Sequence, residues 1–252
     1  MERFLRFVDD IGGLGSLTYR TFSCMFRQKI DWEQLVQQMD RAGVGSWSIA
    51  TLAAVFTGAV LALQFATGLQ PYGASLYTGK LVALGIVREL GPTLTAVLVG
   101  GRVGAGFTAE LGSMTVTEQV DAIEALGADP VQKLVVPRML ACLIMLPLLT
   151  VLADFVGCLG GMLATVAEVG VTPRFYVEQI VDTIWVVDLF HGLFKSVFFG
   201  YFIAIIGCYT GLKTTGGTEG VGRSTTDSVV AISVAVLVGN FFLTKLFLVV
   251  YG

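Results

Sequence analysis

Five stretches of this sequence are long and apolar enough to cross a lipid bilayer, and that fixes the class of fold before any motif is read. Crossing about 30 Å of hydrocarbon takes roughly 20 mostly apolar residues in a helix. Lipid offers no partner to an open backbone N–H or C=O, so a chain of this kind spans it as helices. The stretches are Trp47–Leu69, 81–109, 139–167, 185–212 and 229–251. The expected fold is an all-α polytopic membrane protein with five transmembrane helices. Residues 1–46 form an N-terminal interfacial helix region, and 47–252 a single transmembrane domain.

Loop charge sets the orientation, because Lys and Arg concentrate on the cytoplasmic side. Segments 1–46, 110–138 and 213–228 share one side and carry ten: Arg3, Arg6, Arg20, Arg27, Lys29, Arg41, Lys133, Arg138, Lys213 and Arg223. The other side carries two, Lys80 and Arg174. The N-terminus is thus expected in the cytoplasm and the C-terminus outside it. Charged residues make up 14% of the chain, against about a quarter in a soluble domain, too few to coat a water-facing surface. A net charge of −3 with no basic run gives nucleic acid nothing to bind. The four cysteines form no CxxC pair and read as small buried apolar groups. No secretory signal is visible ahead of the first span.

Shorter patterns predict helices outside the spans. Phe4, Phe7, Val8, Ile11 and Leu14 follow helical spacing with Arg3, Arg6, Asp9 and Asp10 on other faces, the pattern of a helix lying along the membrane surface. Asp31 is placed to cap a second helix, with Gln34 three residues on. Thr172-Pro173 reads as another helix start, leading Phe175, Tyr176, Ile180 and Ile184 into an interfacial element. Between spans two and three, Thr115 and Glu118 fit a capping box and Gly127 a helix stop, with Pro130 beyond. This predicts a short cytoplasmic helix at about 116–126. Val116, Val120, Ile123 and Leu126 form its apolar stripe, with Glu118, Gln119, Asp121 and Glu124 off it. Such a helix either lies on the membrane or docks into a groove on a cytoplasmic partner.

Two glycine motifs imitate nucleotide sites. Gly217 to Ser224 departs from GxxxxGK[ST] only in carrying Arg223 for Lys, and Gly104-Ala105-Gly106-Phe107-Thr108-Ala109 matches GxGxxA. Neither follows a β-strand, as both sites require. The first reads as a flexible turn between spans four and five. In the second, Gly100, Gly104, Ala105 and Ala109 read as small residues that let helices approach closely in lipid.

The spans also contain charge. An ionisable group at mid-bilayer costs roughly 2.5–3.5 kcal/mol on insertion scales, so each is a functional candidate. Asp188, His191 and Lys195 fall within about 60° of one another around one helix. Arg88 and Glu89 sit together in the second span. Either these groups neutralise each other and hold helices together, or they line a hydrated cavity that receives a charged headgroup. One histidine makes no metal site, since a stable one takes about four ligands. No nucleophile–base pair suggests that the chain is an enzyme.

Arg88-Glu89-Leu90-Gly91-Pro92, Gly101-Arg102-Val103-Gly104, Ala109-Glu110-Leu111-Gly112, the run from Thr117 to Glu124, and Asp129-Pro130 together resemble the MlaE-type permeases. These are membrane subunits of bacterial ABC transporters that work with MCE proteins, and the likeness covers essentially the whole chain. It implies a permease domain over 47–252, paired as a homodimer and bound by cytoplasmic ABC ATPase subunits, which hold the ATP and Mg. The permease itself would bind no cofactor. A small STAS-domain protein and a periplasmic MCE ring would complete a complex in the bacterial inner membrane that moves phospholipids and maintains outer-membrane lipid asymmetry. Residues 116–126 would be the coupling helix, meeting the ATPase through Glu118, Gln119, Asp121, Ile123 and Glu124. The lipid cavity would involve Leu61, Leu69 and Tyr72, with Arg88, Glu89, Asp188 and Lys195 as its charged rim. A rival reading, an ion-coupled secondary transporter using Asp188, His191 and Lys195 as a relay, needs no ATPase but fits five spans without an inverted repeat poorly.

Overall fold

The computed structural model describes residues 2–27 and 31–251, and side chains over 8–25 and 31–250. The side chains of Arg3, Phe4, Arg6, Phe7, Arg27 and Lys29 therefore lie outside the described residues. Among the described residues all regular structure is helical: α1 (Glu2–Arg27), α2 (Trp32–Ala42), α3 (Trp47–Leu69), α4 (Thr78–Gly85), α5 (Gly91–Val99), α6 (Ala105–Val116), α7 (Gln119–Ala125), α8 (Val136–Val169), α9 (Pro173–Thr183), α10 (Val186–Leu212) and α11 (Gly217–Tyr251). Five helical runs are long and apolar enough to cross a membrane: Trp32–Tyr72, Ser75–Val116, Val131–Val169, Val186–Leu212 and Gly217–Val250. The second is wound as π-helix over Ile86–Leu90 and again over Gly100–Gly104, and π-helix over Val131–Val135 opens the third. Such segments interrupt α-helices mostly as single turns, often at functional sites.

The chain divides into two compact units. One comprises Met1–Gly45, Val99–Met145 and Gly200–Val236. Within it α1 is held along one edge. A Cβ on Gly13 would run into the Tyr209 ring. Leu17 and Thr21 are buried, Thr18 and Tyr201 share a hydrogen bond of 2.7 Å, and Lys213 Nζ lies 2.5 Å from Asp10 Oδ1. That hydrogen bond holds the Lys213 ammonium above the usual lysine range. Val8 and Ile11 stay exposed, as a helix lying in a membrane surface requires. The Gln34 N–H donates to Asp31 Oδ1 at 3.3 Å, the expected cap. Gly100 and Gly104 present bare backbone to Ile203 of α10 and Ile232 of α11. Thr108 Oγ1 lies within 3.0 Å of the Gly104 and Gly207 carbonyls and 2.7 Å from Ser228 Oγ.

Two local expectations fail here. Thr115 does not cap a helix: its hydroxyl donates to the Leu111 carbonyl inside α6 at 2.9 Å, and Glu118 makes no side-chain cap. The α6 ladder runs on past the Thr115 position and breaks only where Glu118 turns left-handed, at φ 59°. The segment at 217–224 is not a loop either. Gly216 and Gly217, at φ 90° and 67°, absorb the reversal, and the chain is helical from Gly217 on, with Glu219 and Arg223 paired one turn apart.

The second unit comprises Ser46–Leu98, Leu146–Phe199 and Leu237–Gly252. Its helices α3 and α8 meet backbone to backbone: a Cβ on Gly58 would overlap the Gly157 carbonyl, and one on Gly160 the Val55 carbonyl. This close approach is what small residues provide in lipid. Beside it, Ala62, Val82 and Ile86 form a buried cluster packed by Leu61 and Phe65. The Phe175 N–H donates to Thr172 Oγ1 at 3.3 Å, so α9 starts where expected. Gly58→Ala is expected to destabilise the protein by about 1–3 kcal/mol, the cost of forcing a methyl into a packed interior. Gly68→Ala, whose Cβ meets nothing, serves as its control in a thermal denaturation series in detergent.

Candidate functional site

Arg88 and Glu89 of the second span and Asp188 and Lys195 of the fourth come together within the second unit. Asp188 stands in the first turn of α10, where its Oδ2 accepts from the Trp185 N–H at 2.9 Å. A carboxylate is favoured there by the open N–H groups of the helix start. Its Oδ1 takes Arg88, with Nη2 at 2.5 Å and Nε at 2.6 Å. Seven residues on along α10, Lys195 Nζ reaches Glu89 Oε1 at 2.7 Å, the Arg88 carbonyl at 3.0 Å and Thr244 Oγ1 at 2.8 Å. The π-turn over Ile86–Leu90 carries Arg88 and Glu89, so two consecutive residues reach two different partners on α10.

The pairs are asymmetric in exposure. Asp188 and Lys195 are buried, at 2% and 2% of side-chain area, while Arg88 and Glu89 keep 46% and 37%. The buried partners anchor the exposed ones. The arrangement therefore presents one guanidinium and one carboxylate side by side to a cavity of about 480 Å³. Arg88, Glu89, Asp188, His191, Lys195, Thr244, Phe247 and Leu248 line it, with Trp185 and Val187. His191 contributes a ring stacked on Phe247, centroids 4.0 Å apart. Thr244 Oγ1 lies within hydrogen-bond reach of both Lys195 Nζ and the Glu89 carboxylate, so the hydroxyl belongs to the network that holds the paired charges.

Two contributors escaped the sequence reading. Asn240 Nδ2 donates to Glu89 Oε2 at 3.1 Å, and Thr244 Oγ1 lies 3.1 and 3.2 Å from the two Glu89 oxygens. They stand one turn apart on α11, and a polar pair at i, i+4 in an apolar span was the available signal. Leu61, Leu69 and Tyr72 do not line this cavity. Leu61 packs on the Ala62, Val82 and Ile86 cluster, Leu69 ends α3 half-buried, and Tyr72 is 83% exposed.

The other expected site, α7, lies in the first unit and stands clear of it: none of its residues is buried. Glu118, Gln119, Asp121 and Glu124 are exposed, Ile123 is half-buried, and Leu126 is 87% exposed. Backbone hydrogen bonds close both its ends. Thr117 and Glu118 donate to Ser113 and Thr115, while Gly127, at φ 79°, and Ala128 donate back to Glu124 and Ile123.

Comparison with known proteins places this geometry. The profile of the family described as "Permease MlaE" matches residues 35–246. A probable ABC transporter permease protein of Synechocystis sp. is 44% identical over 230 residues, covering 91% of this chain and 88% of its own. One from Rickettsia felis is 36% identical over 246 residues, 98% and 95% of the two chains. Protein TRIGALACTOSYLDIACYLGLYCEROL 1, chloroplastic, of Arabidopsis thaliana is 35% identical over 223 residues, 88% of this chain and 64% of its own. With five membrane-spanning helices, a charged cavity and a clear-standing α7, this chain belongs to the MlaE permease family of ABC transporters.

Proposed function

We propose that this chain is the membrane subunit of an ABC transporter that moves phospholipids between the inner and outer membranes of a bacterium and so maintains outer-membrane lipid asymmetry. The observation that carries this reading is the paired exposure of Arg88 and Glu89. A zwitterionic headgroup carries a phosphate and an ammonium a few ångströms apart, and a guanidinium beside a carboxylate complements it. Because Asp188 and Lys195 already neutralise the two groups, a headgroup exchanges one set of charge partners for another. That limits the desolvation cost of binding inside a membrane. The name of the plant relative, which is that of a glycolipid, supports a glycerolipid as cargo.

In this reading residues 47–252 act as one permease domain, and two copies pair. Leu61, Leu69 and Tyr72, away from the charged cavity in one copy, provide the apolar wall for the lipid chains in the dimer. ATP and Mg bind to cytoplasmic ATPase subunits docked on α7 through Glu118, Gln119, Asp121, Ile123 and Glu124. An MCE ring sits on the periplasmic side, and a small STAS-domain protein accompanies the ATPase. The chain lies in the inner membrane with its N-terminus in the cytoplasm and its C-terminus in the periplasm, on the loop charges alone. An ion-coupled relay through Asp188, His191 and Lys195 has no support beyond the same residues, and an ABC permease draws its energy from a partner.

The test is reconstitution with the partner ATPase in donor vesicles carrying fluorescent phospholipid, mixed with unlabelled acceptors. ATP is expected to speed transfer at least about tenfold, a difference of about 1.4 kcal/mol. Transfer that ignores ATP, or that follows an imposed ion gradient, would sink the reading.

A further inference from the structure

Between residues 139 and 167 the third span carries one charged residue, Asp154, and the charged site does not use it. Asp154 enters the lining of a separate cavity of about 320 Å³ in the second unit. That is the small end of the range for ligand pockets, about 300–1,000 Å³. Val87 of the π-turn, Phe155 and Leu159 of α8, Val177 of α9, and Leu189 and Leu193 of α10 give it apolar walls. Phe155, Leu159 and Val177 are also exposed, so its mouth is apolar. Asp154 itself is only 8% exposed. It joins no ion pair among the described residues, and its Oδ1 meets no hydrogen-bond partner there. A buried polar group costs free energy until it is hydrogen-bonded, and an acid inside a span is a functional candidate for that reason.

The lining distinguishes three kinds of head group. A phosphate needs a cation, and no lysine, arginine or histidine lines the cavity. An ammonium brings three N–H donors. The single carboxylate takes at most two, which leaves at least one facing apolar walls at the cost of an unmade hydrogen bond. A hydroxyl brings one donor, and Asp154 accepts it. Rotation about the last bond of the aspartate side chain, a broad torsion, presents either oxygen. Tyr176 Oη is unpartnered as well. It stands beside Gly161, seven residues and about 10 Å along α8 from Asp154, out of reach of the same group.

We propose that this cavity binds a neutral lipid whose head is a single hydroxyl, donating to Asp154 while the chain lies along Phe155, Leu159 and Val177. The cavity shares no lining residue with the charged one, yet the same elements build both. Val87 precedes Arg88 in the π-turn. Asp154 Oδ1 packs on Gly91, just past that turn, where a Cβ would overlap it. Leu189 and Leu193 belong to α10, which carries Asp188 and Lys195. An occupant therefore supports the elements that set the charge pairs without touching the charges.

Photolabelling of the full chain in vesicles of phosphatidylethanolamine and phosphatidylglycerol tests it. The probe is hexadecanol with a diazirine in its chain. It is compared with its methyl ether, which keeps the chain and loses the donor, and with the corresponding primary amine. After irradiation and digestion, label from the alcohol in the segment 151–177 is expected to exceed that from the ether at least about fivefold, as for one hydrogen bond. Excess plain hexadecanol is expected to compete it away. Asp154→Leu is expected to bring the alcohol down to the level of the ether, whereas Asp154→Asn, which keeps a carbonyl acceptor, retains the excess. Val177→Trp fills the mouth and leaves Asp154 in place; it is expected to lower the label and covers failure of Asp154→Leu to fold. Equal labelling by alcohol and ether overturns the site, as does a preference for the amine or an undiminished excess in Asp154→Leu. No transport enters these readouts, so such a result leaves the proposed function standing.

Discussion

Lys195→Ala is expected to abolish ATP-driven lipid transfer while leaving a substantial yield of folded protein. Lys195 is buried and holds Glu89, the Arg88 carbonyl and Thr244 at once. Its loss removes the only cation paired with Glu89 among the described residues. An exposed ion pair is worth about 0.2–1 kcal/mol, and breaking a fully buried one costs about 3–5 kcal/mol. Glu89 keeps 37% of its side-chain area exposed and retains Asn240 and Thr244, so the stability cost falls between these limits. Transport suffers more, because the carboxylate that faces the cavity is no longer positioned. The companion variant Glu89→Gln/Lys195→Met removes both charges and leaves Asn240 and Thr244 an amide to bond. It is expected to recover the folded yield of the wild type but not its transfer. Recovery of both together would mean that the pair only holds helices together, and the headgroup role would fall. Yield by size exclusion and transfer between labelled vesicles are the two readouts.

Leu126→Asp is expected to release the ATPase from an otherwise intact permease. Leu126 is 87% exposed, and exposed substitutions of this kind change stability within about 0.5 kcal/mol. An apolar side chain held out beyond a rigid, acidic helix end has the character of an interface anchor, where truncation costs about 2 kcal/mol or more. Copurification of the ATPase should then drop by more than about tenfold. Asp121→Ala, at the exposed polar face, is expected to weaken it less, since rim charges act mainly on encounter. Undiminished recovery of the ATPase with both variants would remove α7 from the contact.

How much of this was legible in the sequence depended on the range of each interaction. Hydropathy finds the five apolar stretches because burial in lipid acts residue by residue. It understates their length, since helices run on into polar surroundings: the stretch at 81–109 belongs to a helical run of Ser75–Val116. The stripe of Asp188, His191 and Lys195 followed from helical period alone, but their pairing with Arg88 and Glu89 needed the register of two helices. That register includes a π-turn, which leaves no mark on the side-chain pattern. Asn240 and Thr244 were missed because neutral polar residues cost little in a span. The capping box at Thr115 misled for the opposite reason: a four-residue pattern is cheap to match, and α6 simply continued through it.

Glu118 is the only described residue other than glycine with positive φ, and the joint it makes has a mechanical consequence. A flexible hinge would let α7 swing without disturbing anything behind it. Here hydrogen bonds bracket the joint: the Thr117 and Glu118 N–H groups donate back into α6, and the Ala122 N–H donates to the Glu118 carbonyl. A left-handed turn at a residue with a Cβ costs roughly 1–2 kcal/mol and offers no neighbouring conformation to relax into. The direction of α7 is thereby tied to that of α6 by backbone bonds rather than left to a free linker.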